Sequence, residues 1–135
     1  MSTPGMDRAN LRTPLKQVLG LGSAKSGTHH FIVQRMTGLA LVLLVIWVVG
    51  FTLTLVHAGD YAHARALLRQ PLCAAGLVAF VVVSFWHAQL GLQVVIEDYV
   101  HTRWLEIASQ IAVKFVCAGA ALIGVIAIFR VHIGY

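Results

Sequence analysis

One histidine, His87, stands inside an otherwise uncharged apolar stretch from Leu72 to Ile96, and the chain then reads Glu97-Asp98-Tyr99. An imidazole within a bilayer is costly, so by default it marks a functional position. Neutral imidazole is also the usual iron ligand that a protein offers to haem. Asp98 lies eleven positions after His87, which on a helix turning ~100° per residue leaves the two about 20° apart around the axis. At ~1.5 Å per residue they stand roughly 16 Å apart along it, with His87 inside the hydrocarbon and Asp98 at its surface. This spacing predicts a buried cofactor below an interfacial polar site. An interhelical hydrogen bond and a water-lined pathway are the other uses open to such a histidine.

The same face carries Gly76, Val83, Ser84 and Gly91, all within about 60° of the His87 direction. Gly91, one turn after the histidine, leaves space for a flat macrocycle or for a neighbouring backbone. The other histidines sort to different depths: His29 and His30 before the first apolar stretch, His101 in the loop after Tyr99, and His57, His63 and His132 at the opposite surface. None shares the depth of His87. A haem iron held by two histidines therefore needs its second ligand from another polypeptide or a second copy of this one.

The elements that must position these groups are membrane spans. Of 135 residues, 59% are hydrophobic and only 11% charged, and the mean hydropathy of +0.81 lies outside the range of soluble domains this small. Three apolar stretches, 37–56, 72–96 and 107–129, each reach the ~20 residues needed to cross a ~30 Å hydrocarbon core. The predicted fold is all-α, three transmembrane helices in an up-down-up bundle over residues 31–135, preceded by a cytoplasmic arm over 1–30. Pro71 suits the first turn of the second helix, where no backbone donor is lost. The segment from His57 to Gln70 reads as a short outer loop. Lys114, the one charge in the third stretch, is near enough to its end to snorkel.

Arg8, Arg12, Lys16, Lys25 and Arg35 precede the first span and Arg103 follows the second, whereas the other side carries Arg65, Arg69 and Arg130. The positive-inside rule then puts the N-terminus and the 97–106 loop in the cytoplasm, with Asp98 and Tyr99 facing it. This asymmetry accounts for most of the net charge of +5; no nucleic-acid signature accompanies it, and anionic lipid is the partner it implies. Cys73 and Cys117 sit at different depths and are not expected to pair. Without a Cys-x-x-Cys-His sequence, any haem is held by coordination and packing.

The run from Leu19 to Phe31, Leu-Gly-Leu-Gly-Ser-Ala-Lys-Ser-Gly-Thr-His-His-Phe, is followed by Gln34-Arg35-Met36-Thr37 and later by His87-x10-Asp98-Tyr99. Together, and in this order, these motifs resemble the hydrophobic membrane-anchor subunits of succinate dehydrogenase, respiratory complex II. The resemblance implies a three-helix anchor that pairs with a cytochrome b membrane subunit, with haem b held between the two. It also implies a flavoprotein carrying FAD and an iron–sulfur subunit carrying clusters on the cytoplasmic face, passing electrons from succinate to ubiquinone. By position, His87 resembles the axial haem ligand, Tyr99 the tyrosine that donates a hydrogen bond to the quinone, and Asp98 the adjacent acid of the quinone site. Arg35 resembles the arginine near the haem propionates, and both His29 and His30 are candidates for a propionate or proton-relay role. Glu97 adds a second acid, although only Asp98 keeps the motif register. The chain carries no flavin or iron–sulfur motif, so it is not expected to act alone. The implied location is the bacterial inner membrane, with the mitochondrial inner membrane, its N-terminal side facing the matrix, as the alternative. A fumarate reductase anchor, a non-catalytic membrane scaffold and a small transporter subunit are the alternative readings.

Overall fold

A computed structural model of the protein describes residues 27–57 and 59–134. Among them are four helices and no strand: α1 (Gly27–His57), α2 (Tyr61–Leu68), α3 (Pro71–Tyr99) and α4 (Arg103–Ile133). The long helices α1, α3 and α4 are the three long and apolar enough to cross a membrane. At 31, 29 and 31 residues they extend for ~43–46 Å, well beyond the ~30 Å hydrocarbon core. The excess explains why each helix outruns its predicted apolar stretch. Backbone hydrogen bonding continues into the headgroup region, where polar residues such as His29 and Asp98 are accepted. The first turn of α1 thus includes residues 27–30, which the sequence reading assigned to the arm; residues 1–26 of that arm lie outside the described part.

The ends of α3 and α4 follow from local chemistry. Pro71 occupies the first turn of α3, where its missing N–H has no intrahelical partner to lose. At the other end of α3, the Val100 N–H still donates to the Ile96 carbonyl at 2.9 Å, and only 100–102 remain before α4. Gly134, with φ of 98°, closes α4 in the left-handed region that favours glycine.

Helix α2 is a feature that the sequence reading had as loop. Asp60 caps it by accepting from the Ala62 N–H at 3.2 Å, and Tyr61, Ala64 and Leu68 line a shallow depression with Arg65 and Val131. The Arg65 Nη2 donates to the Gly134 carbonyl at 3.3 Å, and the Arg69 guanidinium also lies against Gly134. Two cations therefore meet the negative end of the α4 dipole, tying α2 to that helix.

Packing places α3 in the middle. Both α1 and α4 lie along it, whereas α1 and α4 scarcely meet, so the three spans form an open row. Hydrophobic burial does not drive association between helices in lipid, and close approach at small residues replaces it. At Gly76 an added Cβ would fall 2.5 Å from Trp47 Cη2, and at Gly124 it would fall 2.9 Å from Val81 Cγ1. Each glycine admits a large side chain from the adjoining helix. The Trp47 ring also stacks on Phe51 within α1, with centroids 5.3 Å apart.

Candidate functional site

His87 projects from α3 toward α1, where it meets Thr37. The Thr37 Oγ1 lies 2.9 Å from His87 Nδ1, and 3.0 Å from each of the Val33 and Gln34 carbonyl oxygens one turn earlier. Among the described residues Thr37 is the one buried polar residue, with 7% of its surface exposed. Beside it, an added Cβ at Gly38 would stand 3.4 Å from His87 Cε1. The imidazole edge thus packs beside this position of α1. His87 Nε2 has no hydrogen-bond partner among the described residues, which also contain no cluster of three or more metal-ligating side chains. No other histidine among the described residues lies at that depth.

The antiparallel pairing of α1 with α3 brings a second group together nearer the N-terminus of α1. His29, His30 and Val33 on α1 face Trp86, Leu90, Gln93 and Glu97 on α3 across a cavity of about 460 Å³. Glu97 Oε1 accepts from Gln93 Nε2 at 2.9 Å and from Gln110 Nε2 of α4 at 3.4 Å. The carboxylate is thereby held at the junction of α3 and α4 while facing the cavity. His30 Nε2 is buried there without a partner among the described residues. Unpaired buried donors and acceptors are unfavourable, so this atom marks a place for water or a polar ligand.

Asp98 and Tyr99 point elsewhere. Both are exposed on the last turn of α3, Tyr99 at 77%, and the Tyr99 carbonyl accepts from His101 Nδ1 at 3.1 Å. Among the described residues no hydrogen bond engages the phenol hydroxyl or the Asp98 carboxylate, which leaves both free for groups outside the chain. Arg35 is exposed on α1 with its guanidinium 4.7 Å from the centre of the Phe31 ring, a cation–π contact that holds the charge at the membrane boundary. An added Cβ at Gly91 would meet no atom within 4 Å. The space predicted beside this glycine is open within the chain. Cys73 and Cys117 are both free thiols.

A model of the succinate dehydrogenase/fumarate reductase transmembrane subunit matches residues 9–121, a range that contains every candidate residue above. The chain belongs to this family. Among curated relatives, the succinate dehydrogenase hydrophobic membrane anchor subunit of Rickettsia conorii is 39% identical over 108 residues, which is 80% of this chain and 86% of that protein. Its counterpart in Rickettsia bellii is 36% identical over 120 residues, or 89% of this chain and 95% of that one. No solved structure matches. As a transmembrane subunit of this family, the chain is part of an oxidoreductase complex and anchors to a membrane through its three long helices.

Thr37 and Gly38 received no role from sequence reasoning, although Thr37 was part of the motif that carried the resemblance. The signal was present in depth. Thr37 lies ten residues into α1 and His87 twelve residues before the end of α3, about 15 and 18 Å from the same end of the row. Matching depths on adjacent antiparallel helices would have paired them. The contribution of Gln93 and Gln110 to Glu97 was also missed, since it depends on which helix stands beside α3.

Proposed function

We propose that the chain is the membrane anchor of a succinate:ubiquinone oxidoreductase, in which His87 would hold the iron of haem b and Tyr99 with Asp98 would form part of a quinone-reduction site at the cytoplasmic ends of the helices. The observation that carries this reading is the His87 ring, whose Nδ1 is engaged by Thr37 while Nε2 has no partner. The donor set fits the group. One imidazole is offered, and among the described residues the space beside Gly91 one turn away is open; Arg35, exposed on the adjoining helix, is the cation its motif position offers for the propionates. Bound haem would supply reversible one-electron storage at its iron.

Tyr99 donates its hydroxyl to a quinone oxygen, and such a bond strengthens as negative charge accumulates on that oxygen. Asp98 beside it supplies protons or orients the phenol. His29 and His30 line one cavity with Glu97, on a different face from Asp98, and are the candidates for a propionate or proton-relay role. Because the chain has one histidine at the His87 depth, any second histidine holding the group would come from another polypeptide, such as a cytochrome b subunit, or from a second copy of this one. A flavoprotein with FAD and an iron–sulfur subunit complete the complex on the cytoplasmic face. The excess of Lys and Arg on the N-terminal side supports a cytoplasmic N-terminus in a bacterial inner membrane.

Purification of the tagged chain from its native membrane tests the assignment. Flavoprotein, iron–sulfur and second membrane subunits should copurify in stoichiometric amounts, together with succinate-reducible haem and quinone reductase activity. A purified complex lacking the flavoprotein and haem would reduce the chain to a membrane scaffold.

A further inference from the structure

We propose that Thr37 is a positioning residue that fixes the tautomer of His87, holding the proton on Nδ1 so that Nε2 presents its lone pair to iron. The inference rests on the reading of His87 as an axial ligand and adds a residue on a different helix that prepares it.

Two arrangements satisfy the 2.9 Å contact between Thr37 Oγ1 and His87 Nδ1. In one, the hydroxyl donates to Nδ1 and the ring proton sits on Nε2. That arrangement gives up the bond from the hydroxyl to the Val33 or Gln34 carbonyl, both 3.0 Å away, and leaves an Nε2–H with no acceptor among the described residues. In the other, the ring donates from Nδ1 to Oγ1, and the hydroxyl donates onward to a carbonyl of its own helix. Every donor then has an acceptor, and the two hydrogen bonds run in the same sense and reinforce each other. A threonine in a helix readily bonds to a carbonyl one turn back, so its hydroxyl proton is already committed when the imidazole arrives. The second arrangement is the one the geometry selects.

Thr37 is buried, with 7% of its surface exposed, which limits competition from solvent for these hydrogen bonds. Gly38 stands at the next position, where an added Cβ would lie 3.4 Å from His87 Cε1, the carbon between the two ring nitrogens, so the ring edge packs beside this part of α1. A hydrogen bond accepted from the far nitrogen of a metal-bound histidine raises the ligand's basicity. Thr37 therefore also favours ferric over ferrous iron.

The test uses the assembled complex with Thr37→Val, which keeps the shape and removes the acceptor, and Thr37→Ser, which keeps the hydroxyl. Thr37→Val should shift the ferric–ferrous equilibrium toward ferrous by up to about tenfold, a rise of up to ~59 mV in the haem midpoint potential, and Thr37→Ser should return it to the parental value. Loss of haem in the valine variant alone would also support the role of the hydroxyl. An unchanged potential in Thr37→Val, or equal haem loss in both variants, would overturn it. His87→Ala run in parallel separates the two readings. If that variant keeps its low-spin spectrum, the ligand assignment fails and the Thr37 inference falls with it; if it loses the spectrum while Thr37→Val stays parental, only the Thr37 inference fails.

Discussion

Tyr99 ends α3 with its ring 77% exposed and its hydroxyl engaged by no group among the described residues, so removing that hydroxyl disturbs little inside the chain. This makes Tyr99→Phe a clean probe of quinone chemistry. Loss of one strengthened hydrogen bond corresponds to roughly 1.5–3 kcal/mol, or about ten- to one-hundred-fold in rate. The assembled variant should keep succinate oxidation with an artificial electron acceptor and lose quinone reductase activity by that factor; Asp98→Asn should lower the same activity. Parental quinone reduction in both variants would return these residues to the role of interfacial anchors. At this scale the sequence was informative wherever a residue type was out of place in its surroundings. His87 stood out because an imidazole in hydrocarbon requires a partner, and its isolation in depth followed from counting. Thr37 did not stand out, because a hydroxyl in a membrane helix is satisfied by its own backbone and gives no outward sign of a second bond. Glu97, Asp98 and Tyr99 were legible as a polar group but not as two groups, since consecutive residues diverge by ~100° and only the neighbouring helices decide what each one meets.

The contacts between elements depend on glycine at least as much as on apolar residues. Gly76 has no room for a side chain against Trp47, and an added Cβ would fall 2.5–2.9 Å from three atoms of that ring. Gly76→Leu forces α1 away from α3 and should destabilise the purified complex by about 1–3 kcal/mol, the usual consequence of overpacking. Thermal unfolding in detergent reads this directly: a lowered midpoint is expected, and a parental midpoint would show that the two helices do not rely on this contact. The separation of α1 from α3 would also weaken the Thr37 contact to His87, because both pairs lie on the same helix interface. The three long helices were legible from hydropathy since each needs only length and apolar composition. Helix α2 was not, because eight residues span barely two turns and give no sustained periodicity. Its cap, Asp60, and its stripe of Tyr61, Ala64 and Leu68 were the available signal. What fixes its position, the approach of Arg65 and Arg69 to the end of α4, is a long-range contact that local pattern cannot supply.

Across the molecule, the open row of spans leaves most large apolar side chains uncovered, Leu43 at 70% and Phe115 at 74% among them. Lipid can cover such surfaces, but the row also leaves His87 Nε2 and the space beside Gly91 without a counterpart among the described residues. The number of spans followed from composition, whereas their arrangement as a row did not, because an apolar residue facing lipid and one facing a helix look alike in sequence. These features fit a subunit whose cofactor site is completed by another polypeptide. In the proposed complex His87 would supply one iron ligand and a partner histidine the other. Reduced-minus-oxidised spectra of the complex carrying His87→Ala, with subunit content verified, decide this. Loss of the low-spin b-type signal is expected, through either haem release or conversion to a high-spin form; an unchanged low-spin spectrum at parental haem content would show that His87 is not an iron ligand.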